Sequence, residues 1–139
     1  MGMRLVIKGQ NDEIILEKDN ISSVKYLSDT PNDSNARATE LQVSVEVIGK
    51  IISQTDDITK KLSLWSLIPA ESQDAYRELT LEVISAGIVQ RKIVMPNSFL
   101  IDYSEDFNSL SGTGSFRLLA KQKKEKISEI KIEGGYDAK

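Results

Sequence analysis

A chain of 139 residues with 40% hydrophobic and 28% charged side chains has enough apolar content for one folded domain and too much for a disordered one. Its net charge of −3 gives no general attraction to nucleic acid or to anionic lipid. It has no histidine and no cysteine, so it lacks the commonest general base near neutral pH, any thiol nucleophile or disulfide, and the ligands that build most zinc, copper, haem and iron–sulfur sites.

Leu5 and Ile7 predict a first strand, and Gly9-Gln10-Asn11-Asp12 turns it into a second strand carrying Ile14 and Leu16. Val24 and Tyr26 predict a third. Residues 28–39 follow, a polar stretch without a single large apolar side chain. Fixing such a segment costs about 1–2 kcal/mol per residue of backbone entropy, with no apolar burial to offset it. It reads either as a plain surface loop or as an arm, mobile in an isolated subunit, that orders only against a neighbour. In the second reading Asp29, Asp33, Asn35 and Arg37 are the interface residues.

Leu41, Val43, Val45 and Val47 alternate with polar residues, as a strand with one wet face does. Ile58, Leu62 and Trp65 instead fall at i, i+4 and i+7, behind Asp56 and Asp57 and ahead of Pro69, which predicts one short helix over 57–65. Strands resume with Leu79, Leu81 and Val83, a hairpin turn at Ser85-Ala86-Gly87, and a strand from Ile88 to Met95. Pro96-Asn97 predicts a break, after which Phe99, Ile101 and Tyr103 share one face. Gly112-Thr113-Gly114 precedes a strand with Phe116, Leu118 and Ala120 inward, and Ile130 and Ile132 mark a last strand that ends at Gly134-Gly135. The fold class is mainly β: an antiparallel barrel or sandwich of roughly seven to nine strands with one short helix, as a single domain over 1–139.

The N-terminal apolar run is too short for a signal-peptide core, and no stretch approaches the ~20 apolar residues of a membrane helix, so synthesis in the cytoplasm without membrane insertion is the expectation. The lysines Lys121, Lys123, Lys124 and Lys126 read as a solvated turn after a strand that also discourages edge pairing, because Glu125 sits among them. Asp102, Glu105 and Asp106 around Tyr103 read as a hydrogen-bonded turn and not as a carboxylate pair converging in a cleft. Their spacing also matches no calcium loop. Gly112-Thr113-Gly114 lacks the Lys-Ser/Thr of a phosphate loop. Trp65, Tyr76, Phe99, Tyr103, Phe107 and Phe116 belong to core or interface, since no positive charge is interleaved for base stacking. No cofactor or metal is expected.

Several segments nevertheless form a pattern: Ser28-Asp29-Thr30-Pro31, Asp33-Ser34-Asn35-Ala36-Arg37, Trp65-Ser66, Pro69-Ala70-Glu71-Ser72 and Tyr76-Arg77, then Pro96-Asn97-Ser98-Phe99, Asp102-Tyr103-Ser104-Glu105, Gly112-Thr113-Gly114 and Gln122-Lys123-Lys124. Over nearly the whole chain this resembles small proteins of clostridia and their relatives that are encoded near phage-tail-like genes, some of them labelled "membrane-associated protease". Neither half of that label has support in these residues. The order of elements is also similar to tail-tube proteins of contractile phages and to the hemolysin-coregulated protein of type VI secretion. That likeness implies a barrel with a helix at its side, an early loop reaching a neighbouring subunit, rings (commonly hexamers) that stack into a tube, and other tail or baseplate proteins as partners. Three readings follow: a self-assembling tube subunit, a non-tube adaptor or baseplate module, and a carboxylate- or serine-dependent hydrolase.

Overall fold

Nine strands join one antiparallel sheet in the computed structural model, which describes residues 2–29, 41–52 and 57–138. They are β1 (Gly2–Lys8), β2 (Glu13–Leu16), β3 (Ile21–Asp29), β4 (Gln42–Ile51), β5 (Arg77–Ser85), β6 (Ile88–Asn108), β7 (Thr113–Gln122), β8 (Lys131–Glu133) and β9 (Tyr136–Asp137). The order is β2-β1-β5-β6-β7-β4-β3, with β8 and β9 paired to β6. This is the expected antiparallel β class with one short helix.

The 21-residue β6 organises everything else. Its first half pairs with β5, from Ile88↔Ser85 to Ser98↔Arg77, and its second half pairs with β7, from Ser98↔Gln122 to Asn108↔Thr113. Ser98 is therefore the corner at which one long strand passes from a half-sheet of β2, β1 and β5 to one of β7, β4 and β3. Long strands that bend between packed sheets make the corners of such sandwiches and barrels. At the far edge β2 and β3 are joined only through residues 17–20, where the Ile21 and Asn20 N–H groups both donate to Glu17 O (3.2 and 2.9 Å).

Period-two alternation explains the core. Leu5, Ile7, Ile14, Leu16, Val43, Val45, Val47, Leu79, Leu81, Phe116, Leu118 and Ala120 all belong to one buried cluster fed by both half-sheets. The helix α1 (Lys60–Ser66) adds Leu62 and Trp65 to that cluster, with Ile58 packed against it. It starts later than the acidic pair suggests. The Asp57 carboxylate accepts from the Thr59 N–H (3.1 Å) and from its hydroxyl, which holds 57–59 in a turn ahead of the first helical residue. Asp56 lies outside the described residues.

Three expectations are corrected. Pro96-Asn97 does not end a strand, because the register shift between Leu79↔Met95 and Arg77↔Ser98 places the proline in an irregularity where no ladder N–H is required. Phe99, Ile101 and Tyr103 do not share a face. Leu100 pairs with Ala120 and Asp102 with Leu119, so Ile101 is the extra residue of a bulge that resets the alternation. Leu100 and Tyr103 consequently pack on the core, while Ile101 is exposed. Finally, Gly134-Gly135 does end the Ile132 strand, β8, but β8 is not the last strand, since Gly135, at φ 83°, turns the chain into β9 and its N–H donates to Val89 O at 2.8 Å. The Ala86-Gly87 turn is as expected, with both residues at positive φ (53° and 76°), the geometry of a two-residue hairpin.

Candidate assembly surface

Of the polar segment and its borders, the described residues are those up to Asp29 on one side and those from 41 on the other. Asp29 is exposed at the end of β3, pairing with Gln42 where the β3–β4 ladder stops. Asp33, Asn35 and Arg37 lie outside the described residues. Ser44, two residues beyond Gln42, pairs with Lys121 of β7, so β4 begins beside the lysine-rich end of β7.

That end is not an edge. β7 lies between β6 and β4, and the lysines lead into a 3-10 run over Lys124–Glu129, so protection of an edge strand is not their role. Lys123 Nζ sits 4.9 Å from the Tyr76 ring centroid and 3.8 Å from Glu125, and Lys126 is 3.2 Å from Glu129. Tyr76 meets Phe99 edge-on at 5.7 Å. Trp65, Ile68, Ala70, Tyr76, Phe99 and Leu100 then line a cleft of about 70 Å3.

Under this cleft Arg77 is 4% exposed, its guanidinium 5.4 Å from the Trp65 ring centroid. Its Nη2 donates to Asp74 Oδ2 at 2.7 Å and its Nε to Asp74 O at 3.0 Å, while buried Nη1 has no partner. Trp65 Nε1 donates to Ala75 O at 3.1 Å, which fixes the indole. Arg77 is the buried member of this pair, and truncating it costs more than replacing it by an apolar group of similar length. Arg77→Ala is expected to lose about 2–4 kcal/mol, and Arg77→Met clearly less, because methionine keeps the stem on Trp65 and removes the unpaired N–H. Urea midpoints of the two variants check this.

Nearby, a hydrogen bond from Lys61 holds the Asp12 carboxyl below its ordinary range; the 2.9 Å ion pair ties α1 to the β1–β2 turn.

The acids around Tyr103 lie in strand β6 and not in a turn, because the β6–β7 ladder continues to Asn108. Alternation puts Asp102 and Asp106 on one face and Tyr103 and Glu105 on the other, so the carboxyls do not converge. Asp102 accepts from Arg117 Nη1 at 3.2 Å, and Arg117 also bridges to Glu46 at 2.6 Å. Glu105 accepts from the Tyr103 hydroxyl at 2.6 Å. Burial, then this bond, push the Tyr103 phenol far above its ordinary range, so it is a donor and not a base. Among the described residues no group of acids is arranged to hold a metal ion.

Past the sheet the β6–β7 hairpin ends in apolar side chains that the sequence did not single out as a group. Phe107 is 66% and Leu110 98% exposed. The Phe107 ring lies over Gly114, where an added Cβ would come within 3.0 Å of Phe107 Cδ1. The one legible signal is leucine at 110 between serines, inside a turn closed by Gly112.

No family profile matches the sequence, and no curated protein does. Solved structures do match it in fold. Hcp1 from Flavobacterium johnsoniae superposes with a TM-score of 0.59 at 13% identity, covering 97% of this chain and 99% of that one. A chain of the anti-feeding prophage baseplate gives 0.56 at 10% identity over 95% of this chain and 92% of that one. A chain of the PVC sheath-tube complex, an extracellular contractile injection system, gives 0.52 at 8% identity over 95% and 89%. The fold is thus of the Hcp and tail-tube type.

Proposed function

We propose that this chain is a structural subunit of a phage-tail-like or type VI-like secretion tube and works by self-assembly into rings, with other tail or baseplate proteins as further partners. The observation that carries the reading is the likeness in fold to Hcp1, over 97% of this chain and 99% of that one, and to a chain of an injection-system sheath-tube complex, over 95% and 89%. The absence of histidine and cysteine and the divergent carboxyls favour a role in assembly over one in chemistry. No helix among the described residues is long and apolar enough to cross a membrane, which agrees with a place in a particle. The likeness to a baseplate chain favours the adaptor as second reading.

Electron microscopy of the concentrated protein tests the choice. Rings or stacked tubes are expected; single small particles that bind only to a baseplate partner favour the adaptor. The purified protein is also expected to hydrolyse neither peptides nor glycosides above background. Activity that disappears in Ser104→Ala, Asp102→Asn or Glu105→Gln would restore the hydrolase reading.

A further inference from the structure

The two ends of the second half of β6 carry complementary surfaces. We propose that the β6–β7 hairpin tip of one copy docks, head to tail, in the cleft between Trp65, Tyr76 and Phe99 of a second copy. This rests on the self-association reading above and names the surfaces that would perform it.

The tip is a preformed knob. Asn108 Oδ1 accepts from the N–H groups of Leu110 (2.9 Å) and Ser111 (3.2 Å), and Gly112, at φ 67°, returns its N–H to Asn108 O at 2.9 Å. A turn held this way loses little freedom on docking. At its apex Leu110 is 98% exposed, and a leucine in that state contributes nothing to its own fold. The cleft is the matching hole, with a fixed indole at its base and the Tyr76–Phe99 pair as its wall.

Charge follows the same polarity. The second half of β6 carries Asp102, Glu105 and Asp106 and no base over residues 102–108, with Arg117 of β7 on Asp102 at 3.2 Å. The rim of the cleft carries Lys121, paired in register with Phe99, and Lys123 over Tyr76, with Glu125 3.8 Å from Lys123. An acidic stem behind an apolar knob faces a basic rim around an apolar hole, an arrangement that steers encounter and fixes register.

Geometry makes the contact intermolecular. Phe99 and Asn108 are nine steps apart on one strand, roughly 30 Å at 3.3 Å per residue, so a chain cannot fill its own cleft. A knob and a hole on different patches give a heterologous contact, which propagates into a ring or a stack.

The chain's lack of cysteine supplies the test. Leu110→Cys and tagged Ala70→Cys proteins are mixed, oxidised mildly and resolved by mass, while Leu110→Asp is followed for assembly. The tagged heterodimer is expected to dominate over either homodimer. Leu110→Asp is expected to raise the concentration for half-assembly at least about tenfold with an unchanged thermal transition. Rings formed equally well by Leu110→Asp, without the heterodimer, would overturn this contact and leave the tube reading intact. A heterodimer without rings or tubes would keep the contact and sink the tube reading; neither product would overturn both.

Discussion

Gly49→Ala lowers the thermal transition by about 10 °C or more, and Gly49→Val does not fold. A Cβ at this position would penetrate the van der Waals surface of the Asn20 carbonyl oxygen and stand 2.5 Å from Phe116 Cζ. The first is backbone in the tight 17–20 link between β2 and β3, whose Asn20 O accepts the Lys50 N–H at 2.9 Å. The second is a fully packed core ring. Neither can give way without opening the 17–20 link or the core beside it. Overpacking against such neighbours costs about 3 kcal/mol or more, which for a domain of this size is about 4 °C of transition per kcal/mol. Gly2→Ala is the control: nothing lies within 4 Å of its added Cβ, so its transition stays in place. Calorimetry of the three variants decides the matter, and a Gly49→Ala protein as stable as the control would refute this account of the 17–20 link.

Deleting residues 30–38 abolishes ring and tube formation while leaving the subunit's thermal transition nearly intact. The flanks explain the second half of this statement. Asp29 and Gln42 already pair, so the deletion leaves residues 39–41 as a three-residue hairpin connection, a common length. Shortening a loop lowers its closure entropy and removes no apolar burial. The first half is the arm proposal itself, with Asp29, Asp33, Asn35 and Arg37 as contacts to the next subunit. Calorimetry and electron microscopy of one preparation separate the two. A deletion that unfolds the subunit, or assemblies that form as well without the arm, removes it as an assembly element.

The antiparallel strands were legible because one face of each packs on a common core and period-two alternation records that directly. Val43, Val45 and Val47, or Phe116, Leu118 and Ala120, need no other information. The helix was legible from the spacing of Ile58, Leu62 and Trp65, although its start was not, since the Asp57 side chain spends itself on Thr59. The bulge at Ile101 was hidden for a physical reason. Bulges are set by what the partner strand presents, and no local pattern in β6 distinguishes a residue that pairs from one that is squeezed out. The same holds for Pro96, which punctuates a sequence but sits without penalty where the ladder is already irregular. The lack of histidine and cysteine was readable from composition. The proposed pairing of knob and cleft was not, because residues 65–76 meet Phe99 only in the folded sheet, at the opposite end of the second half of β6 from 107–112.

The mass of the purified protein across a concentration series, by native mass spectrometry or sedimentation equilibrium, tests the central claim most directly. Self-assembly into rings predicts a single discrete multiple of the 15.5 kDa chain, with larger stacked species appearing as concentration rises. A chain that stays at its monomer mass at every concentration, and shows no rings when imaged, contradicts it.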